Sequence, residues 1–98
     1  MESTTSADLY RASRERVTAA VRGLDPADLN RQVPACPDWT VHNLVSHLAG
    51  VATDFATGNL DGAPRPPWTA VQVNARRAAP IDAVLEEWAS AGPALEQV

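Results

Sequence analysis

Two histidines, His42 and His47, fall within one stretch that reads as a helix. An imidazole is the side chain best suited to ligate a metal or move a proton near neutral pH. Joint chelation is excluded by spacing. Five residues apart places the two rings about 140° apart around a helix, whereas paired ligands on one face need a step of three or four. His42 points to the outer flank near the helix start and reads as a solvent-exposed residue. His47 lies on the edge of the apolar stripe, between Leu44 and Val51, with Asp54 two turns further on nearly the same line. Such a lone histidine is either packed and hydrogen-bonded or a ligand, and on its residues alone the packed reading leads. Asp54 could serve as its outer partner, but two turns is far for direct contact, and a solvated carboxylate is the simpler reading.

Other groups offer less. Glu86-Glu87 resembles a carboxylate pair but reads as a wet face beside Trp88. Arg76 and Arg77 could hold an anionic substrate, yet adjacent helical residues diverge by about 100°, so at most one of them aims at a given carboxylate. Cys36, between Ala35 and Pro37, has no adjacent base to make it a reactive thiol. No Ser or Cys sits in a strand-to-helix elbow, and the glycines have no phosphate-cradle spacing.

The elements that must position His47 are helical. Thr40 is an N-cap candidate, with Asp38 a second one upstream. Val41, Leu44, Val45, Leu48, Val51, Ala52 and Phe55 then recur at steps of three and four, forming one stripe. An earlier helix starts near Ser6 and stops at Gly23, with Leu9, Val17, Ala20, Val21 and Leu24 inward and Arg11, Arg14, Glu15, Arg16 and Arg22 outward. Asp25-Pro26 starts a single helical turn. Residues 31–37, with two prolines, read as an irregular connector, and residues 58–67 are the clearest loop. Ten to twelve extended residues span about 35 to 40 Å, longer than the roughly 27 Å second helix. The loop can therefore return along the bundle and let the third helix run parallel to the second. Trp68 begins that helix, which runs through Arg77. Pro80 opens another, with Ile81, Val84, Leu85, Trp88 and Leu95 as its apolar face and a kink at Gly92-Pro93. The chain stops at Val98 with no cap, as at a cut.

Composition sets bounds. The chain is 98 residues, enough for one small domain with a thin core. It is rich in Ala and poor in aromatics, with little alternation for strands, so an all-α fold is expected. Twelve acidic residues outnumber eight basic ones, all scattered arginines, which argues against a nucleic-acid surface. There is no run long enough to span a membrane and no secretion signal. A single cysteine fits a reducing, cytoplasmic setting.

The string Val33-Pro34-Ala35-Cys36-Pro37-Asp38-Trp39-Thr40-Val41, leading into His47-Leu48-Ala49-Gly50, resembles the mycothiol-dependent maleylpyruvate isomerase family of the DinB-like superfamily. The segment from Trp68 to Arg77, followed by Glu87-Trp88, looks like the third-helix region of the same family. The resemblance implies an up-down-down-up four-helix bundle with a long crossover between helices 2 and 3, holding a metal, usually zinc, by three side chains. It assigns the first ligand to His47. The family's other ligands lie on a fourth helix, and this sequence has no histidine after His47. Residues 1–98 are accordingly expected to be the N-terminal portion of one such domain, its fourth helix missing and its metal site incomplete. The implied activity is isomerisation or thiol transfer, with mycothiol as cosubstrate and a small electrophile as substrate. Inactivity of the chain alone and self-association through the open bundle face are further expectations. The rival expectation is a non-catalytic helical binding or regulatory module derived from the same fold.

Overall fold

A computed structural model describes residues 5–97; Val98, at the expected uncapped end, lies outside them. The chain is α1 (Ser6–Arg22), a 3-10 turn (Pro26–Asn30), β1 (Gln32–Val33), β2 (Cys36–Thr40), α2 (Val41–Thr57), α3 (Pro66–Ala75), α4 (Ile81–Ala91) and the single turn α5 (Pro93–Glu96). It is an all-α fold with one small exception. The connector expected to be irregular is an antiparallel hairpin, Gln32 paired with Thr40 and Val33 with Cys36 across a bulge. The Pro34-Ala35 turn brings the two short segments together without needing an alternating pattern.

Helix starts follow local chemistry. Thr40 caps α2 by accepting from the Asn43 backbone, while the Asn43 side chain accepts from the Thr40 N–H, a reciprocal capping box. Thr5 and Asp8 do the same for α1. The third helix begins two residues earlier than expected, because Pro66 and Pro67 occupy its first turn, where no N–H is needed. It ends at Ala75 rather than Arg77, and Gly92-Pro93 divides α4 from α5 as expected.

The core is Val21, Val45, Ala49, Ala52, Val84, Leu85 and Trp88. The α4 face is as its apolar spacing predicts. On α2, Val45 and Ala52 of the expected stripe are buried, but the rest of the buried set is Ser46, Ala49 and Gly50, to one side of the stripe of large side chains. Small residues face α3 and α4 because only they permit close backbone approach. Leu44, Leu48 and Val51 are half-buried and Phe55 is 39 % exposed. On α1 the inward line is Tyr10, Arg14, Val17 and Val21, so Leu9, at 60 % exposed, is not a core residue and Arg14 is not a solvent-facing one. Polar groups take the inward places: the Trp88 indole N–H donates to the Tyr10 hydroxyl (2.8 Å), and Arg14 pairs with Glu96 (3.3 Å).

The loop does not itself carry the chain back along α2. The Trp68 indole N–H donates to the Asn59 carbonyl (3.1 Å) beyond the end of α2, while Ala79, past the end of α3, meets His42 at the start of α2. Thus α3 makes the return, antiparallel to α2. The helix that runs in the same direction as α2 is α4, from Ala79 beside His42 to Glu87 beside Thr53. No helix among the described residues is long and apolar enough to cross a membrane.

Candidate functional site

His47, Gly50 and Asp54 follow one another at steps of three and four along α2 and so share one line. Against that line α3 sets Gln72, which is 2 % exposed and has to find partners for its amide. Its Oε1 lies 2.8 Å from His47 Nδ1 and its Nε2 donates to Asp54 Oδ2 at 2.8 Å. An amide oxygen only accepts, so His47 Nδ1 carries the proton and donates it. Nε2 of the neutral ring then holds a lone pair, and among the described residues it makes no hydrogen bond. That nitrogen can ligate a cation or accept a proton.

The site is held from both sides. The indole of Trp39, the residue before the Thr40 cap, packs on the His47 ring with centroids 5.2 Å apart and planes inclined by 49°. Behind Gln72, Arg76 Nη1 donates to the Gln72 carbonyl at 3.0 Å. Its Nε donates to Glu87 Oε1 at 2.7 Å, and Nη2 completes a two-pronged pair with Oε2, which also accepts from Thr53. The hydrogen bond from Arg76 holds the Glu87 carboxyl below its ordinary range, with burial opposing and the Thr53 hydroxyl assisting. The same bond raises Arg76. Glu87 is therefore no wet-face carboxylate; Glu86 is the exposed one.

Only one of the neighbouring arginines is committed inward. Arg77 is exposed, donates to Asn74 Oδ1 at 2.8 Å, and borders an open cleft of about 530 Å³ shared with Asp38, Trp39, Asn43 and Asn74. His47 does not line that cleft, but Trp39 touches both.

His42 is not solvent-facing as its position on the helix suggested. Its Nε2–H donates to the Ala79 carbonyl (2.8 Å), and its Nδ1 accepts from the buried Ser46 hydroxyl (3.3 Å), so the ring clasps the start of α2 to the α3–α4 link. It plays no part at His47. Cys36 is a free, exposed cysteine on β2. Asp54, expected to be solvated, reaches His47 through Gln72. Sequence reasoning missed Gln72 and the Arg76–Glu87 pair; the available signal was Gly50, a gap between His47 and Asp54 that a neighbouring side chain must fill.

Among the described residues no three His, Cys, Asp or Glu side chains are grouped to hold a metal. The donor set is one imidazole, which suits zinc or another borderline divalent cation but does not complete its coordination. No curated protein and no solved structure gives a significant match. A family model, described as the mycothiol maleylpyruvate isomerase N-terminal domain, matches residues 10–98. With the match covering nearly all of the described helices, the chain belongs to the mycothiol maleylpyruvate isomerase N-terminal domain family.

Proposed function

We propose that residues 1–98 are the N-terminal portion of a metal-binding, mycothiol-dependent isomerase or thiol transferase domain in which His47 Nε2 is one ligand of zinc or another divalent cation. The observation that carries this reading is that, among the described residues, one ring nitrogen is engaged: Nδ1 is tied to Gln72, and Nε2 is left with its lone pair. An imidazole held through one nitrogen by a polar partner is the arrangement that metal-ligating histidines adopt. The ligands that complete the set come, in this reading, from outside the described residues. A divalent cation at such a site favours the thiolate form of a low-molecular-weight thiol, the form that attacks an electrophile.

The chain's own residues would supply orientation and recognition. Trp39 fixes the imidazole plane and walls the neighbouring cleft. Arg77, with no salt bridge among the described residues, offers the cleft a cation for an anionic substrate, while Arg76 is occupied by Glu87. The non-catalytic binding module is the second reading, favoured by the lack of a three-ligand group among the described residues.

Zinc titration of the chain and of His47→Ala tests the assignment. One imidazole gives no chelate advantage, so the expected result is weak, saturable binding that disappears in the variant, with no stoichiometric zinc after purification. Equal binding by both proteins removes His47 from the site, and no binding by either favours the non-catalytic module.

A further inference from the structure

We propose that Asp54 and Gln72 are positioning residues that fix His47 in its Nδ1–H form, and that the carboxylate of Asp54, which never touches the ring, decides where the imidazole proton sits. The proposal rests on the reading of His47 as a metal ligand. Three hydrogen bonds make the chain: Asn59 Nδ2 to Asp54 Oδ1 (3.2 Å), Gln72 Nε2 to Asp54 Oδ2 (2.8 Å), and His47 Nδ1 to Gln72 Oε1 (2.8 Å). An amide can face either way, and a neutral imidazole can carry its proton on either nitrogen. A carboxylate can only accept, so it draws the amide nitrogen of Gln72 toward itself and turns Oε1 to the ring. Oε1 in turn demands a donor, and Nδ1 keeps the proton.

Water cannot easily substitute for any member at Gln72, which is 2 % exposed. Arg76 donates to the backbone carbonyl of Gln72, and the bare Cα of Gly50 lies beside the Gln72 Cβ. His47 and Asp54 lie too far apart along α2 to meet directly, and Gln72 closes that distance from the neighbouring helix.

Exchanging the amide and the carboxylate tests the assignment. In Asp54→Asn, Asn59 still donates to the oxygen of the new amide, so the new NH2 faces Gln72. Gln72 must then turn over and present its own NH2 to Nδ1, and the His47 proton moves to Nε2. The double variant Asp54→Asn/Gln72→Glu restores an acceptor at Nδ1 with the wild-type net charge, and the proton returns. The readout is the 15N spectrum of the His47 ring in metal-free protein at a pH where it is neutral. His42, bonded to Ala79 by Nε2–H, serves as the internal check on folding. The expected sequence is Nδ1–H, then Nε2–H, then Nδ1–H for wild type, single and double variants. A single variant that keeps Nδ1–H, or a double variant that fails to regain it, overturns the proposal. His47-dependent zinc binding should follow in parallel, weakening about 10- to 100-fold in the single variant and recovering in the double. If the proton moves as expected but wild-type zinc binding does not depend on His47, the positioning assignment stands and the metal reading falls.

Discussion

Gly50 and Gln72 approach so closely across the α2–α3 seam that a Cβ built on the glycine would stand 2.6 Å from the Gln72 Cβ and 2.8 Å from its Cγ. The helix conformation does not call for glycine there; the close approach does. Gly50→Ala should force α3 outward or Gln72 out of line, at a cost of about 1 to 3 kcal/mol, as for other overpacked seams. The displacement should also lengthen the His47–Gln72 bond. Denaturant unfolding together with the His47 ring spectrum checks both consequences. An alanine variant of wild-type stability would show that the seam has slack.

The Arg76–Glu87 pair predicts an acid limb to stability. Glu87 is held below its ordinary value of 4.5, chiefly by the hydrogen bond from Arg76. The folded chain therefore binds fewer protons than the unfolded one in that range. The contribution is complete above about pH 4.5 and is lost as the pH falls through the lower, folded value. Glu87→Gln should flatten the acid limb and, by leaving a half-buried guanidinium without its counter-charge, cost about 1 to 3 kcal/mol at neutral pH. Part of the limb should persist, since Asp8 is also held low, first by the Thr5 backbone N–H and then by the Thr5 hydroxyl. Unfolding free energies measured between pH 3 and pH 7, roughly the span over which carboxylates titrate, decide the matter; an unchanged acid limb in Glu87→Gln would refute it.

What could be read from the sequence followed the kind of signal each element carries. Thr40 and Pro80 announce helix starts by local backbone chemistry, and the Ile81, Val84, Leu85, Trp88 spacing announces a buried face, so both were legible. The buried line of α2 was legible only at Val45 and Ala52, because apolar spacing weights large side chains, whereas Ser46, Ala49 and Gly50 are buried as well. The same bias placed Leu9 inward and Arg14 outward on α1, where Tyr10 and Arg14 in fact meet Trp88 and Glu96. His47 could be singled out from its flank position. Its partner could not, since Gln72 is brought to it by the path of α3, a non-local fact. The two-residue strand β1 is beyond any alternation signal, which needs several residues to register.

His42 provides a control for His47, since the two rings share a helix and differ in their partners, Ala79 and Ser46 for the first and Gln72 for the second. Its loss in His42→Ala removes the donor to the Ala79 carbonyl and the acceptor for Ser46, which is buried. We expect about 1 to 3 kcal/mol of destabilisation from those unpaired groups, with the zinc binding proposed for His47 unchanged. Thermal melts and zinc titration on the same variant separate the effects. A His42→Ala protein of full stability that has lost zinc binding would reverse the roles given to the two histidines.

Trp39 joins stability to the site. Its place just before the Thr40 cap suits a side chain that reaches forward onto α2, and the ring does so one turn beyond the usual staple position, settling on His47. It is half-buried, with one side on the imidazole and another on the cleft that Arg77 borders. Truncating a fully buried tryptophan costs about 3 to 5 kcal/mol, so Trp39→Ala should cost less, about 1 to 3 kcal/mol. The larger effect should fall on the ring it covers, which becomes free to rotate about its bond to Gln72. Chemical unfolding gives the first quantity, and side-chain relaxation of His47 gives the second. Trp39→Phe, which keeps an aromatic face over the imidazole, should recover most of the His47 order and only part of the stability. Equal disorder of His47 in the Phe and Ala variants would mean that the ring's order does not depend on an aromatic neighbour, and would leave the indole a role at the cleft alone.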